Sequence, residues 1–291
     1  VVVKLSRQET AVLTTAGSFS AISALFGGPL VAGMLMVEAG VGMGAMLIPA
    51  LLPGLVAAAV GYLLFIGLGS WGGLDTTALT IPDLPAYDGT HVLDLAVAIG
   101  VGVVTAFLVA AVRKLATLVD GLGHSRLGMP GLLVGGGLTV GLLALLARWL
   151  GADSQDVLFS GQTAIPGLVA ESSAGIVVIL LVAKAIGYAV SLGAGFRGGP
   201  VFPAIFLGVA VGMLAGIAFD VSPTLAVAVG AAAGMASMTR LVFASLLFSA
   251  LLVGTNGIDT VPAAVLATAA AWIVTMSLER QGARSGQAAA R

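Results

Sequence analysis

Residues 191–212 read SLGAGFRGGPVFPAIFLGVAVG. Four glycines (Gly193, Gly195, Gly198 and Gly199) surround a single cation, Arg197, and Pro200 and Pro203 follow. From there an apolar run continues without a charge to Phe219. Glycine leaves its backbone N–H uncovered by a side chain. Proline is tolerated in the first turn of a helix, where its missing N–H is not needed. The stretch therefore predicts a glycine loop feeding a helix whose N-terminus lies inside a very apolar chain. Such a terminus carries unpaired N–H donors and about half a positive charge, which suits an anion. Irregular backbone at membrane depth persists only where it is buried in protein or lines a cavity. An anion pathway through a helical membrane protein is the reading that satisfies both conditions.

The rest of the 291 residues supports that environment: 59% are hydrophobic and only 9% are charged. A soluble domain carries about 25% charged residues, so nearly all of this chain belongs in lipid or in protein surrounded by lipid. The 42 glycines suit close helix packing in a bundle. A net charge of −1 leaves no nucleic-acid footprint. Without cysteine there are no disulfides or thiolate metal sites. The two histidines, His91 and His124, are far apart in sequence, which argues against a His-based metal centre. No Ser–His–Asp set or Walker loop is present, so the chain reads as a non-enzyme that uses no cofactor.

Taken in order, residues 10–26 form an Ala- and Ser-rich helix broken by Gly27, Gly28 and Pro29. A short helix over 30–40 carries one acid, Glu38, and residues 45–68 are long enough to span. Residues 69–94 read as an acidic loop with Asp75, Asp83, Asp88 and Asp94, in which His91 is solvated. A span over 92–112 leads to a basic loop with Arg113, Lys114, His124 and Arg126. Residues 130–146 span again, and 151–172 form a second acidic loop. The positive-inside rule puts the basic loop in the cytoplasm and both acidic loops outside. A helix with Lys184 precedes the central stretch. Two short helices over 225–238 and 241–253 meet at Arg240, a last helix covers 260–278, and residues 280–291 read as a flexible cytoplasmic tail. Residues 14–40 and 231–254 share an Ala–Gly pair, a short helix, a break and a second short helix. Internal symmetry of this kind marks duplicated transport folds with broken helices.

Together these features resemble the CLC family of chloride channels and proton/chloride antiporters. GFRGGPVFPAIFLGVAVG (195–212) is similar to the family's GxFxP anion-coordinating motif and the helix it opens. SGQTAIPGLV (160–169), FGGPLVAGMLMVEA (26–39) and GMASMTRLVFASLLFSALL (234–252) resemble further family segments in matching order. The resemblance implies an all-α, polytopic membrane fold with an inverted repeat, spanning 1–291 as one transmembrane domain in the cell membrane. It also implies a homodimer with an anion pore in each subunit, meeting through helices near 30–65 and 241–278. Chloride would be held by backbone N–H groups at Gly198, Gly199, Val201 and Phe202, with Glu38 and Arg197 as pore or gating residues.

Several positions depart from the pattern. Aligned on Pro203, the motif's phenylalanine falls on Val201, and Pro200 lacks a donor. GxEGP, GSGIP-like and late pore-tyrosine motifs are absent, and the first residue is Val, so the chain reads as the portion after the gating helix. Ala39 stands where proton-coupled members carry an acid. That favours a passive channel over a proton-coupled antiporter or a non-transporting packing partner.

Overall fold

The computed structural model describes residues 6–40, 47–74, 80–122 and 128–289. Lys4, Asp75, His124, Arg126 and Arg291, and the expected break at 41–44, lie outside the described residues. Helices dominate, and six stretches are long and apolar enough to cross a membrane: Ile48–Ile66, Val92–Leu122, Gly128–Trp149, Ala174–Gly193, Val201–Phe219 and Val242–Arg284. The chain is thus a polytopic all-α membrane protein. It clusters into two compact units, Val1–Thr80 and Ile81–Arg291.

The first unit holds α1 (Arg7–Leu25), α2 (Pro29–Ala39) and α3 (Leu47–Ile66). Helix α1 opens on a capping box: the Glu9 N–H donates to Ser6 Oγ (3.2 Å) and the Ser6 N–H donates to Glu9 Oε2 (2.7 Å). The break between α1 and α2 is the expected one, with Gly27 at φ 75° and Pro29 at the start of α2. Phe19 is fully buried and packs where Gly54 of α3 has no side chain. Much of the remaining surface is apolar and exposed, including Leu13, Leu30, Ile48, Leu52 and Val56, as a lipid-facing wall requires.

The second unit contains α4 (Val92–Leu122), α5 (Gly128–Trp149), the short α6 (Ser154–Val157) and α7 (Ile165–Ala170), α8 (Ala174–Gly193), α9 (Val201–Phe219), α10 (Pro223–Thr239) and α11 (Val242–Val253). A 3-10 turn over Gly254–Thr260 leads into α12 (Val261–Ala289). Its centre is the antiparallel pair α9–α10. Residues 202–213 of α9 and 224–237 of α10 are all buried. A Cβ on Gly208 would strike the Gly230 carbonyl oxygen, one on Gly212 the Ala226 carbonyl, and one on Gly234 the Ala204 carbonyl. The small residues recur every fourth position on both helices, Ala204, Gly208 and Gly212 against Gly234, Gly230 and Ala226. The two backbones therefore approach to a distance that no larger residue allows.

Three expectations change. Arg113, Lys114 and Asp120 lie on α4, not in a loop, because no glycine or proline interrupts residues 103–120. Asp94 is not a solvated loop acid. It lies in the first turn of α4, 5% exposed, and accepts from the Tyr87 hydroxyl (2.6 Å) and the His91 N–H (2.8 Å). His91 is exposed, as expected, with Nδ1 3.3 Å from Asp94 Oδ2. Helix α12 continues through 280–289, the stretch read as a tail, which is rich in helix-forming Ala, Arg and Gln. The segment before α4 is anchored despite lacking helix. Ile81 donates to the Leu252 carbonyl and Tyr87 to that of Asn256, each at 2.9 Å.

Candidate functional site

The glycines of the central stretch divide by task. Gly193 ends α8 where a Cβ would meet the Ala116 carbonyl and the Val119 side chain of α4. Gly195 has φ 83°, and the bonds from Phe196 N–H to Ser191 O (3.1 Å) and from Gly195 N–H to Leu192 O (3.3 Å) complete a Schellman cap. Gly198 and Gly199 serve neither purpose. Among the described residues, nothing lies within 4 Å of where a Cβ would sit on either one. Their backbone is bare, and both line a cavity of about 580 Å³.

The N-terminus of α9 follows at once. Pro200 is its N-cap residue and supplies no side-chain cap. Of the four N–H groups that a helix start leaves without an intrahelical acceptor, Pro200 and Pro203 remove two. Val201 and Phe202 supply the remaining two. The Phe202 ring is buried edge-on against Phe248 of α11, with centroids 6.1 Å apart, so the polar group this residue can offer is its backbone. Tyr188 of α8 holds the turn by donating to the Pro200 carbonyl (3.1 Å).

The cavity is lined by five pieces of chain. Gly137, Val140 and Gly141 come from α5, while Lys184, Gly187 and Tyr188 come from α8. The end of α6 and the connection after it bring Val157 through Ser160, the loop before α9 brings Phe196 through Gly199, and α9 itself brings Pro203. Arg197 is exposed and stands on the same wall as Gly198 and Gly199. Lys184 is 2% exposed, and its Nζ donates to the carbonyls of Val157 (3.1 Å) and Leu158 (2.9 Å), with the Phe206 ring centroid 4.8 Å away. On α6, the Asp156 carboxyl is pushed above the ordinary carboxylate range by burial and by Asp153, with Lys184 pulling the other way.

Arg197, Gly198, Gly199, Val201 and Phe202 thus come together at one helix start. Glu38 belongs to the first unit, half-buried in the last turn of α2. Two arrangements escape sequence reasoning. Lys184 bonds two backbone carbonyls and also forms part of the cavity lining. Arg240, where the two short helices meet, adopts the left-handed φ of 64° after α10, and its guanidinium pairs with Glu279 Oε1 at 2.5 Å. Arg113 reaches the same oxygen at 2.9 Å. These three residues are separated by up to 166 positions, and no local signal joins them.

The chain is thus a polytopic bundle in which a helix start set by two prolines follows bare glycine backbone. The chain belongs to the voltage gated chloride channel family, whose model matches residues 2–275. Proteins of this family carry chloride across membranes as channels or transporters rather than acting as enzymes. No curated protein matches the chain.

Proposed function

We propose that this protein is a passive CLC-type chloride channel of the cell membrane. Backbone N–H groups of Gly198, Gly199, Val201 and Phe202 hold the ion, and Arg197 raises the local anion concentration. The observation that carries this reading is the 580 Å³ cavity opening on the uncovered Gly198–Gly199 backbone beside the α9 N-terminus. Fixed amide dipoles replace part of the ion's hydration shell. No cofactor is needed for this chemistry. Ala39 follows Glu38 at the end of α2 and cannot carry a proton, which supports passive conduction over proton-coupled exchange. The protein works as a homodimer in this reading, and Glu38, in the last turn of α2, is a gating candidate.

The test is chloride efflux from liposomes loaded with chloride and given a potassium shunt. Rapid efflux that needs no proton movement is the expected result. Obligatory proton exchange would replace the channel with an antiporter, and absence of efflux would remove transport by this chain. Gly198→Leu and Gly199→Leu place a Cβ where nothing lies within 4 Å, and folded, monodisperse protein is the control for each. Each covers a donor worth about 1.5–3 kcal/mol to a charged ligand, so chloride affinity falls roughly ten- to a hundred-fold.

A further inference from the structure

Lys184 presents an unbalanced charge. It lies on α8, is 2% exposed, and is one of the residues that line the cavity. Two of its three N–H donors are used by the Val157 and Leu158 carbonyls, and the Phe206 ring lies beside them. Carbonyl dipoles and a ring face satisfy direction, but neither carries a full negative charge. Among the described residues no carboxylate stands within ion-pair distance of Nζ. The acid that acts on it electrostatically is Asp156, which is outside the cavity wall and is itself driven toward its neutral form by burial and by Asp153. A buried ammonium without a counter-ion is strongly disfavoured unless the charge is met or lost. The cavity it faces is the one that also exposes Gly198 and Gly199.

We propose that Lys184 is a second anion station in this cavity, with the bound halide as the missing counter-ion of its ammonium. The inference rests on the reading of the cavity as the chloride route. The two stations differ in kind. At the glycine station neutral dipoles hold the ion, whereas at Lys184 a titratable charge holds it. Binding a chloride there favours the protonated amine, and by reciprocity protonation favours the chloride. Chloride occupancy and a proton on Nζ therefore rise together, and alkaline solution empties this station. The charged and titratable groups that bear on this site are Asp156 and Asp153 near α6, Tyr188 on α8, Arg197 before α9, and Arg113 on α4, which acts on Tyr188.

The experiment is a chloride titration of the detergent-solubilised full chain in weakly buffered alkaline solution, following heat and proton uptake together. The wild type takes up protons as chloride binds. Lys184→Gln keeps two N–H donors for the two carbonyls but removes the charge. It is expected to lose the proton uptake and to bind chloride about tenfold or more weakly, equivalent to about 1.4 kcal/mol. Lys184→Arg keeps the charge but cannot deprotonate, so it binds chloride while taking up no proton. Unchanged affinity and uptake in a folded Lys184→Gln overturn the proposal. If that variant does not fold, Lys184→Arg decides alone, and undiminished proton uptake there overturns it. A loss of affinity in Gly198→Leu but none in Lys184→Gln keeps the chloride route and removes only this station. A wild type that binds no chloride removes both.

Discussion

Gly17 in α1 and Gly234 in α10 occupy matching places in the two similar stretches of the chain, each directly after an alanine. Their surroundings differ completely. A Cβ on Gly17 would find nothing within 4 Å, while one on Gly234 would run into the Ala204 carbonyl of α9. Helix α1 keeps exposed residues along most of its length, whereas residues 224–237 of α10 are buried without exception. The same small-residue pattern, helix and break thus serve two ends. In the second unit the pattern brings two backbones into contact, and in the first it leaves Gly17 on an open face of mixed residues. A repeat in sequence fixes the local chain path, and the neighbour decides what each glycine is for.

The sharpest way to break that comparison is to add a side chain at both positions. Gly234→Leu should abolish folded, monodisperse protein, and Gly234→Ala should cost about 1–3 kcal/mol by overpacking. Gly17→Ala should be neutral or should stabilise by up to about 1 kcal/mol, since alanine is the better helix former and has space. Thermal unfolding of the three variants in one detergent measures the difference. Equal losses at Gly17 and Gly234 would show that α1 is packed as tightly as α10.

A smaller effect is expected at the start of α4. Burial, then the bond to Asp94, pushes the Tyr87 hydroxyl up to about 12, from an ordinary value near 10. The folded protein therefore holds this proton more tightly than the unfolded chain does. Stability from Tyr87 is fully present below about pH 10 and is lost as pH rises towards about 12. Tyr87→Phe should flatten stability over that window, and it should remove one late-ionising tyrosine from the wild type's phenolate absorbance titration. A Tyr87→Phe profile as steep as the wild type's would assign the alkaline loss to other groups.

The smallest effect belongs to the Arg113–Glu279–Arg240 cluster. All three side chains are partly exposed, between 31% and 47%, so solvent screens them and each pair is worth roughly 1 kcal/mol or less. Glu279→Gln should lower the unfolding temperature slightly at low salt and hardly at all at high salt. A large, salt-independent loss would make the cluster a structural keystone of the α4, α10 and α12 contact.

Much of the fold was legible from local chemistry. The break at Gly27–Pro29, the turn at Arg240 and the start of α9 all follow from residue types whose backbone preferences act within a few positions. Arg113 and Lys114 read locally as loop charges, although no glycine or proline between 103 and 120 stops the helix. Asp94 was misread because acids cluster in loops, while its partner Tyr87 is visible only once the segment before α4 folds back. The glycine ladder of α9 and α10 was written in the sequence as a four-residue repeat of Gly and Ala, and that period was the signal to follow.

By itself the sequence determined the membrane class, the broken helices, the family, and the helix start that Pro200 and Pro203 trim to the amides of Val201 and Phe202. Composition and backbone preference are local and survive without knowledge of neighbours. Only the tertiary structure decided that Lys184 faces the cavity of Gly198 and Gly199, that Arg113 and Arg240 share one oxygen of Glu279, and that Gly234 is a contact while Gly17 is not. Each of these depends on which helix lies opposite, and that is set by packing between segments far apart in the chain.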